Sequence, residues 1–239
     1  MILWSCTACD ASLSLRQSKR SGEKERVLYD EGYYRYREST RDFNIEAGLL
    51  YDMLSPGPDA RILEVGCGGG ALLSFLEDRG HSATGVDILE EAVRLASQAA
   101  PSSRVIRSDA GELPFDAGSF DRLLSHHLVE HLDDLPGALE EWRRVLVPGA
   151  VMAICTPNRI YPSPRIFDDP SHVHVYDRRE LAGVVEKAGF RVEDSLTVFP
   201  HLWKDRISVA VGVPLWRAFC RLPYFRDRGR SLLLSAQRR

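Results

Sequence analysis

The stretch that decides the fold is ILEVGCGGGALL, residues 62–73. An apolar run of strand length passes directly into Gly66, Gly68, Gly69 and Gly70, and an apolar helical stripe follows at Leu72, Leu73, Phe75 and Leu76 before Gly80. Strand, glycine turn and helix form the opening unit of a sheet whose strands are joined by helices. Glycines there let the backbone turn tightly and approach a ligand, and the helix start directs amide hydrogens at the same place.

The rhythm repeats downstream. SATGVD (82–87), RVIRSD (104–109) and SFDRLLS (119–125) read as strands, with the helix LEEAVRLASQAA (89–100) after the first of them. Asp134 is expected to cap a helix with Pro136 in its first turn, Leu135, Leu139, Trp142 and Leu146 inward, and Pro148-Gly149 at its end. AVMAICT (150–156) is a fifth strand. Asp177 and Glu180 have capping-box spacing before LAGVVEKAG, which closes at Gly189, and FRVEDSLTVF (190–199) and SLLLSAQ (231–237) are late strands. Alternating strands and helices predict a doubly wound α/β fold: a parallel sheet covered on both faces, with ligands beyond the carboxyl ends of the strands where their order reverses.

Upstream, residues 1–23 are polar and mixed and are expected to be flexible, while 24–54 is helical until SPGPD (55–59) breaks it. The expected organisation is therefore one domain over 24–239, with an N-terminal helical cap at 24–58 and a lid-like insertion at 200–230. The 239 residues are 44% hydrophobic and 27% charged with a net charge of −3, a globular balance that gives no reason to expect a nucleic-acid partner. Five scattered cysteines suit a reducing compartment, and no signal peptide or membrane span is evident, so the cytoplasm is expected. Cys6-x-x-Cys9 resembles half a zinc knuckle with no second pair nearby.

Two cofactor classes fit the glycine turn. Gly66-x-Gly68-x-x-Ala71 meets the loose dinucleotide fingerprint, and Asp87 stands 21 residues beyond Gly66, where a carboxylate can accept both ribose hydroxyl protons in either class. Glu64 beside the turn would repel a pyrophosphate but suits a network around an amino-acid ammonium. Asp109, followed by Ala110, can receive an adenine amino group at the end of the third strand. The chain has no Tyr-x-x-x-Lys dyad, which counts against a short-chain NAD(P)-dependent reductase.

On ILEVGCGGG, VDI (86–88), SDAGELPFDAGSFD (108–121), LVEHLDD (128–134), EEWRRVLVPGAVMAICTPN (140–158) and HVHVYDRRELAGVVEKAGF (172–190), the chain resembles class I S-adenosylmethionine-dependent methyltransferases, in the small-molecule and quinone-type O-methyltransferase branch. The resemblance implies a Rossmann-like sheet of seven strands with the last antiparallel, and S-adenosyl-L-methionine as cofactor. It implies Glu64, Gly66, Cys67 and Gly68 around the methionine part, Asp87 on the ribose, Ile88 on the adenine, Asp109 and Ala110 at the adenine edge, and Ser125 and His126 on the sulfonium side. The implied activity is methyl transfer to an O or N atom of a small metabolite by in-line displacement. A non-catalytic S-adenosylmethionine-binding module would carry the same cofactor residues.

Residues for the acceptor are less defined, because a sulfonium is already a good donor and the protein mainly aligns the reactants. His126 and His127, just past the fourth strand, are the candidate general bases. No metal is required by this reading. The alternative is a divalent site at His127, Glu130 and His131, because quinone-type relatives carry Glu-x-x-Glu-His there. His172 and His174 alternate and so could share a face of the acceptor pocket; Tyr34 and Arg41 could close it from the N-terminal helices. Aromatic and basic residues over 203–230 suit a substrate lid or a peripheral membrane contact.

Overall fold

The computed structural model describes residues 41–161, 171–200, 222, 224 and 226–239. Its described elements run α1 (Arg41–Leu54), β1 (Ile62–Val65), α2 (Ala71–Glu77), β2 (Ala83–Asp87), α3 (Glu90–Ala99), β3 (Arg104–Arg107) and β4 (Phe120–His126). A single 3-10 turn (Val129–His131) leads to α4 (Leu135–Val145), β5 (Leu146–Pro157), α5 (Arg178–Lys187), β6 (Phe190–Pro200) and β7 (Gly229–Arg238).

The alternation of apolar residues explains the layers. Successive strand residues face opposite sides, and here both sides are apolar. Leu63, Leu123, Met152, Ile154, Leu232 and Leu234 pack toward α4 and α5, in a core that includes Leu139, Trp142, Leu181 and Val185. Their neighbours Ile62, Leu124, Ala153, Cys155 and Leu233 pack toward α1 and α2, with Leu50, Leu54, Leu73 and Leu76. The caps appear where the sequence places them. Asp134 accepts the Gly137 amide at the start of α4, and Asp177 accepts the amides of Arg179 and Glu180 at the start of α5.

The seven strands lie in the order β3-β2-β1-β4-β5-β7-β6. Pairs from β3 through β5 are parallel, and β7 runs antiparallel to both β5 and β6. Chain order reverses between β1 and β4, so a crevice is expected above their carboxyl ends.

Two boundaries differ from expectation. Helix α4 stops at Val145 and β5 already begins at Leu146, so Pro148-Gly149 lies inside the strand. The pairing absorbs it: Phe120 faces Leu146 but Arg122 faces Val151, a bulge that accommodates residues unable to hold regular ladder geometry. Strand β7 starts at Gly229, inside the expected 200–230 insertion, because Gly229 pairs with Pro200 and donates its amide to Thr197 Oγ1 at 2.9 Å. Residues 1–40, with the expected flexible segment, the first part of the helical cap and Tyr34, lie outside the described residues, as do 162–170, 201–221, 223 and 225.

Candidate functional site

Every expected nucleoside residue falls at the carboxyl edge of β1 to β4. Leaving β1, the chain bends so that the amides of Gly66 and Cys67 both donate to Val86 O, at 2.8 and 3.0 Å. Gly66 has φ +77°, and a Cβ there would stand 3.0 Å from the Leu128 methyls, so only glycine leaves the loop surface open. The Cys67 side chain turns under the loop into the core beside Leu73 and contributes only backbone to the crevice. Glu64 is buried on β1.

Asp87 ends β2 and ties the loop down. Its Oδ2 accepts the Gly68 amide at 3.0 Å and its Oδ1 accepts the Leu89 amide at 2.9 Å. Burial pushes the Asp87 carboxyl up, against the pull of the Leu89, Gly68 and Ile88 amides. Beside it, the Ile88 side chain is 54% exposed, an apolar surface left uncovered at the mouth of the crevice. Asp109 is exposed and its Oδ1 receives the Gly111 amide at 2.8 Å, which shapes the turn after β3. The neighbouring Ala110 carbonyl is fixed from below, by the Nε1–H of fully buried Trp142 at 2.9 Å. Replacing Trp142 with Phe keeps an aromatic side chain but removes this donor and leaves a void where the larger indole packs. The expected result is a loss of about 2–4 kcal/mol of stability, from the lost hydrogen bond and the void together, read by denaturant titration. A variant as stable as the parent would show that neither the hydrogen bond nor the packing of the indole holds the turn after β3.

Ser125, near the end of β4, is fully buried, and its Oγ has no hydrogen-bond partner among the described residues. Buried hydroxyls are ordinarily satisfied, so this atom is available to a bound group.

Past Ser125 the site becomes a network of acids and imidazoles. Glu46 enters from α1: its Oε2 stands 3.0 Å from His126 Nε2 and 3.3 Å from His127 Nε2, and its Oε1 accepts from Ser231 Oγ. His127 Nδ1 lies 3.2 Å from Glu130 Oε1, and Glu130 Oε2 accepts from Thr156 Oγ1 at 2.9 Å. Burial opposes ionisation of Glu46, yet the charges and hydrogen bonds of His127 and His126 hold its carboxyl well below the usual range. Burial likewise opposes ionisation of Glu130, and His127 and His131 bring its carboxyl down to about 2.

This arrangement bears on the candidate bases. Both His127 nitrogens face carboxylates, Nε2 toward Glu46 and Nδ1 toward Glu130, which leaves neither aimed at an acceptor. His126 likewise presents Nε2 to Glu46. The trio His127, Glu130 and His131 does not close on a common centre. His131 turns its Nδ1 to the Ser171 carbonyl at 3.0 Å, and its Nε2 is 3.9 Å from Glu130.

His172 and His174 do not share a face. His172 meets His131 at a tilt, with ring centroids 5.0 Å apart, whereas His174 is exposed and bonds Glu180 of α5 at 2.8 Å. The amides of Val173 and His174 donate to the Glu130 carbonyl, which turns the segment out of simple extended geometry. Arg41 opens α1.

Glu46 and Cys155 were not expected in the site. Glu46 had a signal, since it interrupts the apolar face Phe43, Ala47, Leu50 and Leu54 at helical spacing, and a lone acid on a buried stripe needs a partner. Cys155 looks like any strand residue of AVMAICT; only its register opposite His126 brings it in.

A family model described as "Methyltransferase domain" matches residues 63–154. A Mycolicibacterium smegmatis protein named as a probable S-adenosylmethionine-dependent methyltransferase is 35% identical over 140 residues, covering 58% of this chain and 54% of that protein. The ubiquinone biosynthesis O-methyltransferase of Sinorhizobium fredii is 30% identical over 167 residues, covering 62% of this chain and 67% of that protein. The geranyl diphosphate C-methyltransferase of Streptomyces coelicolor, solved with S-adenosyl-L-homocysteine, aligns over 93% of this chain and 83% of its own with a TM-score of 0.65 at 20% identity. The chain spans about half the length of the first curated relatives it matches, 54% and 53%.

Proposed function

Because the chain belongs to the class I S-adenosylmethionine-dependent methyltransferases, we propose that it moves the methyl group of S-adenosylmethionine to an oxygen or nitrogen of a small metabolite in the cytoplasm. S-adenosylmethionine is the cofactor of this family, and the residues present fit it. The observation that carries the reading is Asp87, an acceptor-only carboxylate at the end of β2 beside an uncovered Ile88 and an open glycine loop. A ribose diol needs such an acceptor and an adenine needs such an apolar face.

In this reading Asp87 holds the ribose, Ile88 and Ala110 border the adenine with Asp109 at its edge, and Glu64, Gly66, Cys67 and Gly68 surround the methionine end. Ser125 meets the sulfonium side with its buried hydroxyl. The cofactor supplies the activated methyl group. The protein aligns the acceptor behind it and excludes water, and alignment of this kind lowers barriers by ~7–11 kcal/mol. The names of relatives support transfer to oxygen: the ubiquinone biosynthesis enzyme is an O-methyltransferase, and so is the malonyl-[acyl-carrier protein] enzyme, whose acceptor is carried on a protein. No helix among the described residues is long and apolar enough to cross a membrane. A peripheral membrane contact through 203–230 and a pocket-lining role for Tyr34, Arg41 and His172 are parts of the same proposal; His174, exposed and hydrogen-bonded to Glu180, is not placed with them.

The test is thermal shift and calorimetry with S-adenosylmethionine, S-adenosylhomocysteine and NAD(H), followed by transfer of a labelled methyl group to candidate acceptors. Stabilisation by the adenosyl ligands with turnover is expected. Stabilisation by NAD(H) alone would overturn the reading, and tight cofactor binding without transfer to any acceptor would favour a regulatory module.

We place His126 and His127 on the acceptor side as positioning residues, since Glu46 holds both of them. His126→Ala and His127→Ala are expected to lower kcat roughly ten- to hundredfold, the scale of a small misplacement of reacting groups, with little change in cofactor affinity. Equal losses in both would assign the pair to the architecture of the cofactor pocket instead.

A further inference from the structure

We propose that Glu46, His126, His127 and Cys155 form a four-ligand site for a divalent metal of the zinc class. The inference does not rest on the methyltransferase reading; it rests on how these four side chains converge. One ligand atom from each lies within 4.8 Å of all the others. His126 Nε2 and His127 Nε2 stand 3.0 and 3.3 Å from Glu46 Oε2, and Cys155 Sγ stands 3.9 Å from His127 Nε2. In a tetrahedral zinc site with bonds of ~2.0–2.3 Å, nitrogen and oxygen donors sit roughly 3.3 Å apart, and nitrogen and sulfur roughly 3.6 Å. The nitrogen–oxygen separations, 3.0 and 3.3 Å, lie at or just below the first value, and the nitrogen–sulfur separation, 3.9 Å, lies just above the second. Charge-assisted hydrogen bonds between nitrogen and oxygen close to ~2.7–2.9 Å, so the 3.3 Å spacing of His127 Nε2 from Glu46 Oε2 is wide for one.

The chain builds this convergence at a cost. His126 pairs with Cys155 across β4 and β5, so both point to the face that α1 covers, where Glu46 sits. His127, the next residue, would ordinarily point to the opposite face. It turns back because its φ is +52°, a left-handed conformation rare for a non-glycine residue, and the two imidazoles meet with centroids 4.5 Å apart. Such strain is worth about 1–3 kcal/mol and gathers at functional sites.

The surroundings match those of a bound ion. A histidine that ligates through Nε2 commonly donates Nδ1–H to a carboxylate, and Glu130 Oε1 lies 3.2 Å from His127 Nδ1. Ser231 holds the second oxygen of Glu46. Two imidazoles, one carboxylate and one thiolate suit zinc better than oxygen-preferring magnesium. A carboxylate and a thiolate together offset a dication in a site where Glu46 and Cys155 are buried. Four protein ligands leave no open position, so the ion's role is structural: it locks α1 against the ends of β4 and β5 beside the acceptor side. On loading, the Cys155 thiol and any protonated Nε2 of His126 and His127 give their protons to solvent as the metal–sulfur and metal–nitrogen bonds form.

The full chain also carries Cys6 and Cys9, so the test uses a Cys6→Ser/Cys9→Ser background, stripped with chelator and titrated with Co²⁺. One equivalent of tetrahedral cobalt with a thiolate charge-transfer band, displaced by Zn²⁺, is expected. Adding Cys155→Ser is expected to remove the band. Adding Glu46→Gln is expected to weaken zinc by more than the roughly 10–100-fold typical of outer-shell losses, and this arm decides if Cys155→Ser fails to fold. No cobalt uptake, cobalt bound without a thiolate band, or a band and affinity unchanged by these substitutions would overturn the proposal. S-adenosylhomocysteine affinity of the metal-free chain, measured in parallel, reports on the cofactor crevice separately.

Discussion

Asp87→Ala is expected to weaken S-adenosylhomocysteine binding about 100- to 1,000-fold while the protein stays folded. A carboxylate accepting from two ribose hydroxyls makes two charge-assisted hydrogen bonds, each worth ~1.5–3 kcal/mol. Part of that is offset, because in the free protein the carboxylate is already committed to the amides of Gly68 and Leu89. A net loss of about 3–4 kcal/mol corresponds to the stated factor.

The free protein should respond differently from the complex. Burial raises the Asp87 carboxyl above its ordinary value of 3.8, so the folded state binds this proton more tightly than the unfolded state. The contribution of Asp87 to stability is therefore fully present below about pH 3.8 and is lost as pH rises through the folded value. Above that window the ionised group burdens the fold. Alanine removes the burden but also the acceptor for two loop amides, and the two effects oppose each other. The melting temperature of the ligand-free variant should stay within a few degrees of the parent. With ligand at about 100 times the parent Kd, the parent should gain ~2.7 kcal/mol, or roughly 5–10 °C, and the variant almost nothing. A folded variant with the parent's affinity would remove Asp87 from the cofactor site and leave it as a loop clamp.

That dual role shows what the sequence made legible. The spacing from Gly66 to Asp87 reflects a local unit, strand, turn, helix and strand, whose geometry is set within about 25 residues. The repeated unit likewise predicts the parallel sheet, and the capping residues Asp134 and Asp177 predict two helix starts that the structure contains. The acceptor side was less legible because it is assembled from distant pieces. Glu46, His126, Cys155 and Ser231 come from α1, β4, β5 and β7, and no local spacing links them. The alternation of His172 and His174 suggested a shared face. The turn imposed by the Glu130 carbonyl separates them, and tertiary hydrogen bonding overrode the period-two pattern. Similarly, Pro148-Gly149 marked the end of a helix in sequence, but the sheet absorbed it as a bulge in β5.

The second large effect concerns a glycine pressed against the neighbouring helix α3. Gly70, at the N-cap of α2, has φ +90° and ψ 12°, and a Cβ built on it would lie 2.6 Å from Ala96 Cα and 2.9 Å from Ala96 Cβ. Ala96 is fully buried on α3, so backbone stands against backbone where α2 and α3 meet, and no flexible side chain can yield. Gly70→Ala therefore carries two penalties: left-handed strain of about 1–2 kcal/mol and overpacking of about 1–3 kcal/mol. The sum, about 2–5 kcal/mol, is a large part of a typical domain's stability. Gly80→Ala separates the terms, since Gly80 has φ +82° but nothing within 4 Å of its Cβ position. It should show the strain alone. Denaturant midpoints are expected to fall at least twice as far for Gly70→Ala as for Gly80→Ala. S-adenosylhomocysteine affinity should suffer only in the former, because moving the start of α2 shifts Gly68 away from the Asp87 carboxylate. Equal destabilisation by the two variants would mean that α2 and α3 can slide apart, and the close approach at Ala96 would not be what holds the loop over the crevice.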